Sequence, residues 1–180
     1  AVQHAVSTYG ALDAAFNNAG ILEPSSHLHE IAEEDFDEVI DVNLKGVFLC
    51  MKYEISYMLE SGGGAIVNHS SFSGLRGGSG RFPSYTASKH AITGLTKSLS
   101  LDGRDIGITC GQIDIGNAAS GMVEQMSAGT LQADGSMRPE STMDLKNVGS
   151  AVAYMASLPP GVNALHVTVM ANGMPFVGRG

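Results

Sequence analysis

Apolar positions along the 180-residue chain follow two rhythms. Compact runs at Leu12–Phe16, Ala65–Asn68, Ile106–Ile113 and Val162–Met170 have the length and composition of strands. Between them the spacing is helical. Phe36, Val39, Ile40, Leu44, Val47, Phe48, Met51, Ile55 and Leu59 recur every three or four residues, after Glu33, Glu34 and Asp35, whose charges complement the start of a helix. Gly62-Gly63-Gly64 closes that segment. A second long helix is expected from near Ser84 through Ala91, Ile92, Leu95 and Leu99 to about Leu101, and a third over Leu145–Ser157, stopped by Pro159-Pro160. Ala1–Tyr9 reads as the end of a helix halted by Gly10. Gly74–Pro83 is a glycine-rich loop, Asn117–Glu140 is polar without a clear period, and Met174–Gly180 is a tail. Strands alternating with helices predict an α/β domain: a doubly wound parallel sheet of about four strands with helices on both faces, formed by residues 1–180 as one unit.

Composition narrows what such a domain does. Apolar residues make up 43% and charged residues 16%, as in an ordinary globular protein. Asp and Glu outnumber Lys and Arg by 18 to 10, and no basic cluster offsets the net charge of −8, which argues against nucleic acid as a partner. No apolar run approaches the roughly 18–20 residues of a membrane helix, and no basic stretch followed by an apolar one marks a signal peptide. Two cysteines, Cys50 and Cys110, are too few for a disulfide framework or a zinc site; both are expected to be buried thiols in a reducing soluble compartment, the cytoplasm first. The first residue is Ala, so the chain is expected to begin inside a longer gene product.

Candidate chemistry gathers at strand ends. Tyr85 and Lys89 lie four apart at the start of a helix and so share a face. A phenol with a pKa near 10 is a poor proton carrier at neutrality, and a neighbouring ammonium lowers that value. Ser71 follows a strand, where α/β sheets bind ligands, and its hydroxyl would polarise a substrate oxygen or cap its own turn; Ser70 and Ser73 compete with it. Asn17-Asn18-Ala19-Gly20 ends another strand, fitting a structural turn as well as a ligand loop. Asn43 interrupts a helix with a residue helices disfavour, which asks for a buried hydrogen-bonding role or an incidental one.

Taken in order, Asn-Asn-Ala-Gly, Asn43 within Val42-Asn43-Leu44-Lys45-Gly46, Ser71, and Tyr85-x-x-x-Lys89 resemble the short-chain dehydrogenase/reductase family from about Val2 to Gly173. The resemblance implies a Rossmann-type oxidoreductase that uses NAD or NADP to interconvert an alcohol and a ketone or aldehyde. It implies that Tyr85 is the general acid/base and that Lys89 lowers its pKa and holds the nicotinamide ribose. Ser71, three residues before Gly74 in a Ser-x-x-Gly pattern, would orient the carbonyl, and Asn43 would anchor a relay water. Asn17, Ala19 and Gly20 would lie beside the adenosine ribose. Ile115, Gly116 and Ser120 match the segment beside the carboxamide, with Ile115 where the family carries proline. It also implies a homodimer or homotetramer built on the two long helices.

The resemblance begins partway into the family pattern. No glycine-rich pyrophosphate loop precedes Asn17, so the chain is expected to be the C-terminal two-thirds of the domain, as a fragment, a truncated gene model or a degenerate copy. The strand at Leu12–Phe16 would become an apolar edge. The loop from Ser71 to Tyr85 is one residue longer than the pattern. Two rival readings follow. A serine hydrolase would use Ser71 with His69 or His90, but Gly77-Gly78-Ser79-Gly80-Arg81 fails the G-x-S-x-G elbow at its last position. An inactive remnant would keep only the helical interface. Met122, Met126 and Met137 point to an apolar alcohol or carbonyl substrate.

Overall fold

The protein is described by a computed structural model at residues 1–77, 82–121, 129–132 and 135–175. Helix α1 (Val2–Tyr9) leads to strand β1 (Ala14–Asn17). Helix α2 (Glu33–Ile40), a π-helical turn (Asp41–Gly46) and helix α3 (Val47–Ser61) run on continuously to β2 (Gly64–Ser71). Helix α4 (Pro83–Asp102) precedes β3 (Ile108–Ile115). A small antiparallel pair, β4 (Thr130–Leu131) and β5 (Met137–Arg138), comes before α5 (Leu145–Ala156) and β6 (His166–Val169). The main sheet is parallel, in the order β1-β2-β3-β6, as the alternation of strands and helices predicts.

Alternation along β2 and β3 divides the core between two layers. Ile66, Ile108 and Cys110 pack with Val47, Met51 and Met58 of α3 and with Ile92 and Leu99 of α4. Val67 and Ile113 face the opposite way, onto Val148 and Met155 of α5. Strands covered on both faces read as continuous apolar runs, which is why β2 and β3 stand out in the sequence. Gly62 ends α3 at φ 97°, a left-handed conformation that costs glycine nothing, and its N–H caps Met58 O.

Four departures from the sequence reading have physical reasons. The expected single helix from Phe36 to Leu59 contains the π turn, whose extra residue rotates everything after it. Beyond the turn Phe48 and Leu59 are therefore exposed while Met51 and Met58 are buried; before it Phe36 is exposed and Val39 buried. Strand β2 runs three residues further than the apolar run, because Ser70 and Ser71 pair with Asp114 and Ile115 of β3. The segment before α5 holds the β4–β5 pair, too short to leave a period; Met122 and Met126 lie outside the described residues, as do Gly78–Arg81. Cys110 is buried as expected, with its thiol pushed up to about 12 mainly by burial, whereas Cys50 is exposed on α3. Strand β1 is one of the sheet's two outer strands, and Phe16 on it is 38% exposed. Among the described residues no helix is long and apolar enough to cross a membrane.

Candidate active site

At the carboxyl ends of β1, β2 and β3 lies a cavity of about 520 Å³. Its walls include Asn18, Ala19 and Gly20 after β1, His69 and Ser71 on β2, Tyr85 and Lys89 on α4, and Ile115, Gly116 and Ser120 after β3. Leu22, Phe72, Phe82, Val148 and Met174 supply apolar surface. Residues spread over a hundred positions converge because parallel strands end together.

The geometry separates the three serines. Ser70 turns toward α4, and its hydroxyl donates to Lys89 O at 3.1 Å. Ser71 faces the cavity beside Tyr85 and accepts from Ser73 N at 3.1 Å. Gly74 keeps this junction tight. A Cβ there would fall 2.6 Å from Ser70 Oγ and 2.8 Å from Lys89 O, so any side chain would push α4 away from β2. The Ser-x-x-Gly spacing thus has a packing reason.

Lys89 is 1% exposed, and its Nζ lies 5.4 Å from the centre of the Tyr85 ring while donating to His69 O at 3.0 Å. Burial lowers its pKa to about 8, which leaves it a cation at neutral pH. The expectation that Lys89 pulls the Tyr85 pKa down is not met. Burial raises the phenol above 10, the Ser71 hydrogen bond offsets this in part, and the negative charge of Glu23 adds to the rise. A hydroxyl enclosed in protein loses more hydration on ionising than these neighbours return.

Asn43 is fully buried in the π turn. Its Oδ1 accepts from Ile21 N at 2.8 Å, and its Nδ2 donates to Ile21 O at 2.9 Å and Ser88 Oγ at 3.2 Å. These bonds clamp the loop after β1 onto α4. Ala19 and Gly20 reach the cavity, but Asn17 does not. The Asn17 side chain turns beneath the sheet and donates to Asn68 Oδ1 at 3.0 Å and Glu54 Oε2 at 3.1 Å.

The sequence offers His69 only as a hydrolase partner for Ser71 and leaves Glu23 and Arg76 unmarked. His69 lines the cavity with Nδ1 3.2 Å from Asn18 O, and burial together with the Lys89 charge lowers its pKa to about 4, so the ring is neutral. Glu23, 4% exposed, accepts from the first-turn amides of α4. Arg76 lies over Phe72, 4.2 Å from the ring centre. Glu23 and Arg76 are a lone acid and a lone base in loops, with no periodicity and no motif, so only coordinates reveal them. His90 is exposed and bonds its own helix at Thr86 O, and His69 is held by Asn18, so neither forms a serine–histidine pair with Ser71 among the described residues.

Comparison with known proteins agrees with this geometry. A family profile described as short chain dehydrogenase matches residues 1–130. Cyclohexanol dehydrogenase of Acinetobacter sp. (strain SE19) is 48% identical over 116 residues, which cover 64% of this chain and 46% of that protein. The 3beta-hydroxysteroid dehydrogenase of Mediterraneibacter gnavus is 46% identical over 123 residues, covering 67% of this chain and 43% of that one. The solved structure of ElxO with NADP bound superposes with a TM-score of 0.78 at 26% identity, over 93% of this chain and 69% of that one. The chain spans about half the length of the curated relatives it matches. On this evidence the chain belongs to the short-chain dehydrogenase/reductase family.

Proposed function

We propose that this chain carries the proton-transfer half of an NAD(P)-dependent oxidoreductase that interconverts an alcohol and a ketone or aldehyde. The observation that carries the reading is the convergence of Tyr85 and Ser71 on one cavity with Lys89, whose Nζ lies 5.4 Å from the centre of the Tyr85 ring one helical turn away. Ser71 holds a substrate oxygen against the phenol, and Tyr85 exchanges the proton with it. With its pKa raised, the phenol is protonated at neutral pH and suited to donate to a forming alkoxide, the direction of carbonyl reduction.

The residues present fit a nicotinamide nucleoside. Lys89 Nζ has three N–H donors, of which one goes to His69 O, leaving two for ribose hydroxyls. Gly20 leaves room beside it, since a Cβ there would stand 3.5 Å from Nζ. Ile115, Gly116 and Ser120 at the end of β3 line the part of the cavity assigned to the carboxamide. When bound, the cofactor supplies the hydride; the chain supplies position and the proton. Asn43 contributes by holding Gly20–Ile21 against α4. The apolar walls favour an apolar substrate, in keeping with the cyclohexanol and hydroxysteroid named for the relatives. Phe48, Leu49 and Tyr53 form an exposed apolar stretch on α3, which supports self-association into a dimer or tetramer through the long helices.

The test is a titration of the purified protein with NADH and NADPH, followed by nicotinamide fluorescence, with turnover of a cyclic ketone measured in parallel. Tyr85→Phe should bind cofactor as the parent does and lose about 10²–10⁴-fold in turnover, the usual worth of a positioned acid/base. A Phe variant that kept most of its activity would remove Tyr85 from the mechanism.

A further inference from the structure

Helix α4 begins without a local cap: Phe82 at its N-cap makes no side-chain hydrogen bond, and Pro83 follows. The amides that a cap would satisfy, those of the second and third helical residues, are taken instead by a residue more than sixty positions away. Ser84 N donates to Glu23 Oε1 at 2.6 Å, and Tyr85 N donates to Oε2 at 3.1 Å and to Oε1 at 3.3 Å. Glu23 is buried and belongs to no ion pair among the described residues. Its counter-charge is the positive end of the helix that carries the phenol.

We propose that Glu23 is a positioning residue for Tyr85: its carboxylate fixes where α4 starts and cancels the positive helix end beside the phenol, so that Tyr85 stands as a proton donor. Left uncovered, the helix N-terminus would favour the phenolate; with a carboxylate on it, the neutral phenol is favoured. The direction agrees with Glu23 raising the Tyr85 pKa. The other charged or titratable groups around Tyr85 are Lys89 on its own helix, His69 on β2, neutral at pH 7, and Arg76 in the loop after β2. Lys89 Nζ stands 5.4 Å from the centre of the Tyr85 ring, and Arg76 stacks on Phe72. Glu23 also joins two walls of the cavity, because its loop continues from Gly20–Ile21, which Asn43 holds. This inference rests on the acid/base role given to Tyr85, but its test needs neither cofactor nor turnover.

Protein labelled with ¹³C at the tyrosine ring carbon bearing the hydroxyl would be titrated by NMR, the Tyr85 signal being assigned by its absence in Tyr85→Phe. Glu23→Gln keeps the shape and removes the charge. It should lower the Tyr85 titration midpoint by on the order of one pH unit, while Glu23→Asp stays near the parent. An unchanged midpoint in a Gln variant whose amide spectrum matches the parent overturns the proposal. Should Glu23→Gln fail to fold, the parent protein supplies the answer. The amide protons of Ser84 and Tyr85 should exchange slowly with solvent, as donors held by the Glu23 carboxylate, and rapid exchange of both overturns the proposal. Loss of turnover in Tyr85→Phe bears on the enzymatic reading alone, so the two ideas fail separately.

Discussion

Polar groups are buried on both faces of β2, and the two faces use them differently. Beneath the sheet, Asn68 accepts from Asn17 and donates to Thr96 Oγ1 at 3.1 Å, while Asn17 also reaches Glu54 on α3. Each of these contacts joins one element of the fold to another, and none opens on the cavity. One residue along the strand, His69 and Ser71 line the cavity with Lys89 and Tyr85, and there Lys89 keeps two donors that no described group takes. Burial of a polar side chain therefore does not mark function by itself. What distinguishes the cavity face is hydrogen-bonding capacity left over and directed into a space a ligand can enter. On the other face of β2, Asn68 and Ser70 donate to groups of the fold, Thr96 Oγ1 and Lys89 O.

That contrast can be broken first through His69. Its pKa is held at about 4 against an ordinary 6.5, so between those values the unfolded chain binds more protons than the folded one. Stability should fall on acidification from pH 6.5 to pH 4, by about 3 kcal/mol for this group at about 1.4 kcal/mol per pH unit. Glu54 and Asp114, both raised by burial, work in the opposite sense, since they bind protons better when folded. The clean measurement is thus a difference. Urea midpoints at pH 7 and pH 4.5 should separate widely in the parent and less in His69→Asn, whose amide can still donate to Asn18 O. Equal separations would mean that the ring is not a neutral buried group.

Beneath the sheet the expected effect is somewhat smaller and of another kind. Asn68→Leu has nearly the same volume but strands Asn17 Nδ2 and Thr96 Oγ1 of one partner each. Burying such groups unsatisfied costs about 1–3 kcal/mol apiece, tempered here because Asn17 keeps Glu54, so a loss of about 2–3 kcal/mol is expected in chemical denaturation. The Tyr85 titration should not move. A shift there would show that the two faces are coupled and that the division drawn between them is false.

How far the sequence reveals these differences depends on which physical signal each residue leaves. Strands β2 and β3 and helix α4 are legible because burial on a sheet or helix face imposes a period on many residues at once. Tyr85, Lys89, Ser71 and Gly74 are legible as spacings: one helical turn for the first pair, and a close approach to α4 that only glycine permits for the last. Asn17 is legible as part of a motif yet misplaced by it, because a strand's alternation sends Asn17 beneath the sheet while Asn18, Ala19 and Gly20 continue to the cavity. The π turn is invisible for the opposite reason. One extra residue in a helix leaves its apolar content unchanged while rotating Phe48 and Leu59 outward and bringing Asn43 inside. Glu23 and His69 leave no local trace, since their partners lie about fifty to sixty residues away.

Lys89 offers the smallest effect and the sharpest test of the contrast, because it should separate function from stability. Its pKa of about 8, against 10.5 in the open chain, means that the fold disfavours its charge. The unfolded chain therefore keeps this proton to higher pH, and stability should rise as pH increases from 8 to 10.5. At pH 7 the ammonium is charged in both states and its burial costs about 3 kcal/mol. Lys89→Met removes that cost but leaves His69 O without its donor, a loss of about 1–2 kcal/mol. The variant should then be more stable than the parent by about 1–2 kcal/mol at pH 7, with a flat profile from pH 8 to 10.5, while nicotinamide binding is lost. A structural lysine of the kind the lower face would hold predicts the reverse, a marked drop in denaturation midpoint. The sign of one measured stability difference decides between them.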